Sequence, residues 1–166
     1  MLFYPNDYFK SVTDITYEYL IKNNIKALIL DVDNTLIDYD KNLSEDIIKW
    51  AKDLKNNNIK MIILSNSNKK EKVKNVANKL ELEYFSFATK PLKRGFKKAK
   101  NKLGIDSTNI AAVGDQIFTD VIGANRMKMY SILVEPIAER DILVTRIKRP
   151  IENYIKKKYM KTKEKK

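Results

Sequence analysis

Short aliphatic runs recur along the chain with amphipathic stretches between them. KALILDVD, KMIILSNS, EYFSFA, IAAVGDQ and YSILVEP, between residues 26 and 136, read as strands. Runs this uniformly apolar, alternating with helices, predict a parallel sheet covered on both faces. Ser44 followed by Glu45 and Asp46 starts a helix, the hydroxyl capping it and the acids facing the positive end of its dipole. Ile47, Ile48, Ala51 and Leu54 then form its apolar stripe, and Asn56 to Asn58 end it. A second helix is expected over about Lys69 to Leu80, with Val73, Val76, Ala77 and Leu80 inward. A third runs from Pro91 to Leu103 with Gly104 as its stop, and a fourth follows Gln116 and ends near Arg126. The order β-α-β-α-β-α-β-α-β is that of a doubly wound α/β domain. It spans residues 26–138 and is flanked by a helical segment within 1–25, near Ser11 to Lys22, packed on the core, and by a basic tail, 139–166, helical or disordered.

Composition narrows the chemistry. The 166 residues include no Cys and no His, which excludes a Ser-His-Asp triad, a thiol nucleophile, a zinc-thiolate site and disulfides. The four glycines, at 95, 104, 114 and 123, are too widely spaced for a G-x-G-x-x-G or Walker-type loop. Catalysis must run on carboxylates, amines, hydroxyls and bound metal. In open α/β sheets ligands bind beyond the carboxyl ends of the strands, and the polar residues there are few. Asp31 and Asp33 end the first run, Ser65 the second and Asp115 the fourth, and Lys90 lies in the turn before the third helix. Two carboxylates separated by a single residue at a strand end leave on the same side, and both ionise cheaply only with a cation between them. Magnesium suits such an oxygen-rich site. One nucleophile, one acid or base, one hydroxyl, one cation and one metal-binding acid make a phosphoryl-transfer site.

These residues resemble the motifs of the haloacid dehalogenase superfamily, and within it the type IIIA phosphatases of the YqeG-like branch, over roughly residues 1–135. The motif D-x-D-x-T stands as Asp31-Val32-Asp33-Asn34-Thr35, the strand-end Ser as Ser65 in MIILSN, the Lys-Pro motif as Lys90 in TKP, and the Gly-Asp motif as Gly114-Asp115, with Asp120, in VGDQIFTD. The resemblance implies an uncapped Rossmann-like fold. It implies Asp31 as nucleophile, Asp33 as acid and base, and Thr35, Ser65, Asn66 and Lys90 around the substrate phosphate. Mg2+ would lie on Asp31, the Asp33 carbonyl and Asp115. Asp120, separated from Asp115 by four residues, is expected in a supporting position or as a cap of the fourth helix.

Only residues 37–43 separate the first motif from the next helix, and 24 residues lie between Ser65 and Lys90, so no cap domain is expected. An uncapped site suits a phosphorylated substrate that covers it: a lipid headgroup, a protein, a nucleic-acid end, or a metabolite enclosed by a partner. The branch is related to mitochondrial phosphatidylglycerophosphatases, which makes phosphatidylglycerophosphate the leading expectation. Charge bears on this. Residues 1–66 carry 8 basic and 10 acidic side chains, whereas the whole chain is +12, and from Glu139 on there are 11 basic against 4 acidic. That tail suits an anionic membrane or RNA, or is simply solvated. The aromatics Phe3, Tyr4, Tyr8 and Phe9 are either membrane-interface residues or a clasp on the core. With no secretory leader or spanning segment evident, the expected location is cytoplasmic, peripheral at the inner membrane face. A non-catalytic RNA- or ribosome-binding module with the same fold is the alternative, and the intact acid set argues against it.

Overall fold

The computed structural model describes residues 2–137 and 143–163, the side chains of 143–149 and 163 excepted. Its centre is a six-stranded, wholly parallel sheet: β1 (Asp7–Phe9), β2 (Ala27–Leu30), β3 (Lys60–Leu64), β4 (Glu83–Phe85), β5 (Ile110–Gly114) and β6 (Tyr130–Val134), in spatial order β1-β6-β5-β2-β3-β4. The helices are α1 (Tyr17–Lys22), α2 (Glu45–Asn56), α3 (Lys70–Leu80), α4 (Lys93–Leu103), α5 (Ile122–Arg126) and α6 (Leu143–Lys163). Alternation along β2 builds both layers: Leu28 and Leu30 join the core under α2 and α3, and Ala27 and Ile29 join the core under α4 and α5. After β2 the chain winds outward through β3 and β4, then returns to β5 on β2's other side. The crevice between β2 and β5 is therefore the switch point at which such sheets bind ligands.

Three elements differ from the sequence-based expectation. The N-terminal segment does not form one helix over 11–22. Ser11 caps a single 3-10 turn, Val12–Asp14, and Thr16 caps α1. Between the turn and α1, Ile15 is extended and buried, and its carbonyl accepts the Trp50 indole N–H at 2.8 Å. Trp50, more than Ile48, fills the α2 stripe. The second difference is β1, which pairs Asp7, Tyr8 and Phe9 with Ile132, Leu133 and Val134 of β6. Three residues carry too little pattern to mark a strand; the exposed edge of β6 makes them one. Phe9 packs on the core, which is the clasp arrangement, whereas Leu2 and Phe3 remain exposed. Third, α4 begins at Lys93 and not at Pro91, because Thr89 to Leu92 form a turn closed by a Leu92 N–H bond to the Thr89 carbonyl. Gly104 ends α4 with φ 66°, as its position suggests.

The basic C-terminal region is helical over residues 143–163; residue 138 and residues 139–142 and 164–166 of that tail lie outside the described residues. Its helix is tied to the domain. Buried Glu152 accepts the backbone N–H of Phe118 at 3.0 Å, the Tyr159 hydroxyl reaches the Asn6 carbonyl, and Lys156 lies over the Tyr8 ring. Ile155 packs on a small core of Ile117, Val121 and Leu133.

Candidate active site

Asp31 directly follows β2, and its backbone N–H bonds to the Val113 carbonyl, so it stands beside Gly114 and Asp115 at the end of β5. Asp31, Asp115 and Asp120 are buried and offer carboxylate oxygens within 4.8 Å of one another. Into this group projects buried Lys90, whose ammonium donates to Asp31 Oδ1 and Asp120 Oδ1, each at 2.6 Å. Burial pushes the Asp31 carboxyl up; Lys90 pulls it back, Asp120 and Asp33 push further, and the result is a pKa of about 6. Burial drags the Lys90 ammonium down, but the Asp120 and Asp31 carboxylates outweigh it and hold Lys90 firmly protonated.

Local structure explains each placement. Asp120 reaches the cluster because residues Ile117–Val121 form a wide π-type turn, which swings the acid inward across the four intervening residues. The carboxylate has two jobs: Oδ1 binds Lys90, and Oδ2 accepts the Gln116 N–H at 3.2 Å, capping its own turn. Gly114 is required by this approach, since a Cβ there would lie 2.2 Å from the Asp120 carboxyl carbon. Lys90 is gripped by Asn66, which donates to the Lys90 carbonyl and accepts its N–H. Gly95 on α4 lets the helix close on the Ala88 carbonyl of the same loop, where a Cβ would sit 2.5 Å away. Phe87 and Thr89 hold positive φ, 52° and 54°, and the Lys90–Pro91 peptide bond is cis.

Ser65 is fully buried at the end of β3, its Oγ accepting the Ser67 N–H, and Thr35 Oγ1 lies 3.5 Å from Asp31 Oδ2. Asp33 is different. Its side chain is 44% exposed and forms an ion pair with Lys72 of α3. Asn34, with φ 59°, turns the chain just after Asp33, a conformation Asn adopts readily. Asn125 and Arg126 are tied to the carbonyls of Leu2, Tyr4 and Pro91.

The structure thus brings together Asp31, Thr35, Lys90, Asp115 and Asp120, with Ser65 and Asp33 at neighbouring strand ends. Sequence reasoning missed Lys72, the grip of Asn66 on Lys90, and Glu152. Lys72 and Glu152 come from helices whose lysines and glutamates otherwise look like a solvated face, and no local signal marks them.

Three carboxylates and one ammonium meet in a buried volume. Taking such charges out of water costs several kcal/mol per ion. Asp31, Asp115 and Asp120 could hold a divalent cation, and an all-oxygen donor set suits a hard one such as Mg2+. The cluster can also hold a phosphoryl group, whose oxygens match an ammonium and a buried hydroxyl.

Comparison with known proteins agrees with this geometry. The sequence model of a hydrolase family, haloacid dehalogenase-like hydrolase, matches residues 40–128. The chain is also similar to the probable phosphatase YqeG of Bacillus subtilis (strain 168), with 35% identity over 154 residues, 92% of this chain and 89% of that protein. The chain belongs to the haloacid dehalogenase-like hydrolases. Within them it is a phosphatase of the YqeG-like branch. Solved structures share the fold. An uncharacterized protein from Listeria monocytogenes serotype 4b superposes with TM-score 0.57 at 21% identity, over 71% of this chain and 85% of that one. The cobalt-bound deoxy-D-mannose-octulosonate 8-phosphate phosphatase from Haemophilus influenzae gives 0.56 at 18%, over 68% and 69%.

Proposed function

We propose that this hydrolase is a divalent-metal-dependent phosphomonoesterase that works through an aspartyl-phosphate on Asp31. The observation that carries the reading is the buried Asp31–Lys90–Asp120 contact beside Asp115 at the switch point. An Asp31 carboxylate oxygen attacks phosphorus, the phosphorus–oxygen bond to the alcohol breaks, and the proton held by Asp33 passes to the departing alkoxide. Water then attacks the same phosphorus and gives its proton to Asp33. The bond to Asp31 breaks, releasing phosphate and restoring the carboxylate. Lys90 and Ser65 hold the non-bridging oxygens through both steps, with Thr35 supporting Asp31. Asn66 serves the substrate through Lys90, whose backbone it orients. Asp31, the Asp33 carbonyl and Asp115 would hold Mg2+, with Asp120 beside them holding Lys90. Bound there, the ion supplies charge neutralisation between two anions that otherwise repel.

For the substrate we favour phosphatidylglycerophosphate presented from an anionic membrane. Between Ser65 and Lys90 lie only α3, β4 and their loops, so the crevice is uncapped among the described residues. Leu2 and Phe3 are exposed, and on α6 Ile151, Tyr154 and Met160 are exposed among Lys157, Lys158 and Lys161, a mixture suited to an anionic interface. No described helix is long and apolar enough to cross a membrane. The test is phosphate release from phosphatidylglycerophosphate in vesicles, with and without Mg2+, beside soluble sugar phosphates, a phosphopeptide and a 5′-phosphorylated oligonucleotide. Asp31→Asn should abolish release from every ester, and Asp115→Ala should lose most of the Mg2+-dependent rise in melting temperature. Wild-type turnover by Asp31→Asn would sink the covalent mechanism; a faster rate on any soluble class would replace the lipid.

A further inference from the structure

A groove of about 320 Å³ opens between α3 and the loop that follows the first motif, next to the Lys72–Asp33 ion pair. It is lined by Lys41, Leu43, Lys72, Asn75, Asn78 and Lys79, together with Val76. Residues 72, 75, 76 and 79 recur at helical spacing and so form one face of α3, which rises about 10 Å from Lys72 to Lys79. Three ammonium groups and two amides therefore border a shallow strip whose floor is apolar. Only Lys72 has an acidic partner, Asp33; among the described residues neither Lys41 nor Lys79 forms an ion pair. Like charges left converging on one cleft repel, and an anion placed between them removes that cost.

The groove's position gives it a meaning. Resting on the phosphomonoesterase reading, displacement at phosphorus runs in line, so the leaving alcohol departs opposite Asp31, past Asp33. Lys72 pairs with Asp33 at that end of the site and also lines the groove. We propose that this groove is a subsite for a second anionic group carried by the leaving alcohol, a phosphate or phosphodiester a few bonds from the scissile ester. The enzyme is then selective for doubly anionic phosphomonoesters, with Lys41, Lys72 and Lys79 as specificity residues. A volume of 320 Å³ lies at the small end of ligand sites, enough for one such group and its short linker but not for a whole cofactor. The same anion can come from a lipid phosphodiester or from a soluble bisphosphate.

The experiment compares kcat/KM for propane-1,3-diol bisphosphate and for propyl phosphate, with Mg2+ present. Wild type should prefer the bisphosphate by about tenfold beyond the statistical factor of two, the scale of a few partly solvated ion pairs. The Lys41→Ala/Lys79→Ala variant should bring that ratio close to two, and Lys41→Glu/Lys79→Glu should invert the preference. Lys97→Ala/Lys98→Ala removes the same charge from α4, on the opposite face of the sheet, and should keep the wild-type ratio. A wild-type ratio near two, or one that falls equally in the α4 variant, overturns the subsite while leaving the phosphatase reading intact. No turnover of either ester overturns both. A further arm with phosphatidylglycerophosphate in detergent micelles separates the sources. If its kcat/KM falls with the groove variants, the anion is the lipid diester; if only the bisphosphate responds, it is a soluble compound.

Discussion

The two aspartates of the first motif stand two residues apart yet belong to different electrostatic regions. Asp31 lies in a buried cage with Lys90, Asp115 and Asp120, and Asp33 lies at the rim, half exposed, against Lys72. Each has a lysine partner. In the cage every charge has lost its water, so removing one group leaves the rest uncompensated; at the rim solvent replaces whatever a mutation removes. The same pairing of residue types therefore makes a stiff, strongly coupled centre in one place and an adjustable contact in the other. That contrast suits a site whose phosphoryl end must be invariant and whose leaving-group end must admit a substrate.

The sharpest way to break the contrast is Lys90→Met. Methionine fills similar space without charge, so three carboxylates face each other in a buried volume, and the loss should be about 3–5 kcal/mol of stability in metal-free protein. Urea denaturation in EDTA measures it, and a loss under 1 kcal/mol would mean that solvent already reaches the cage. Gly114→Ala comes next. Its Cβ would overlap the Asp120 carboxyl at 2.2 Å, so the acid must leave Lys90 or the turn must shift, at about 1–3 kcal/mol. Weaker Mg2+ binding by calorimetry should accompany it, and an unchanged affinity would detach Asp120 from the metal site.

The third test is a pH slope. Metal-free, Asp31 binds its proton at about 6 in the folded state against 3.8 when unfolded, so between those values the folded protein holds the extra proton. Stability should therefore fall as pH rises from 4 to 6, by at most ~1.4 kcal/mol per pH unit. Melting curves of wild type and Asp31→Asn in EDTA isolate this contribution, and parallel curves would contradict the buried, carboxylate-crowded setting of Asp31. The smallest effect belongs to the rim. Lys72→Ala removes a pair whose acid is 44% exposed and should change stability by less than ~1 kcal/mol. A larger loss in denaturant would show that the rim is as desolvated as the cage.

The five central strands, the layers on both faces and the strand-end residues Asp31, Asp33, Ser65 and Asp115 are legible in the sequence because each rests on local periodicity. Apolar runs make buried parallel strands, and the first polar residue after each run must emerge at the carboxyl edge. Gly104 is legible for the same reason: a stop needs only its own φ. The residues that only the tertiary structure decided depend on partners far along the chain. Strand β1 exists because β6 offers an unpaired edge more than 120 residues away in sequence. Asp120 enters the cage because a π-type turn and the absent side chain of Gly114 make room for it. Glu152 anchors α6 at a backbone N–H of that turn, and Lys72 reaches Asp33 from α3. In a chain with 33 basic side chains, spacing cannot single out the few that matter. Burial and proximity do, because a charge acquires a distinct role only where the folded chain takes away its water or gives it one particular neighbour.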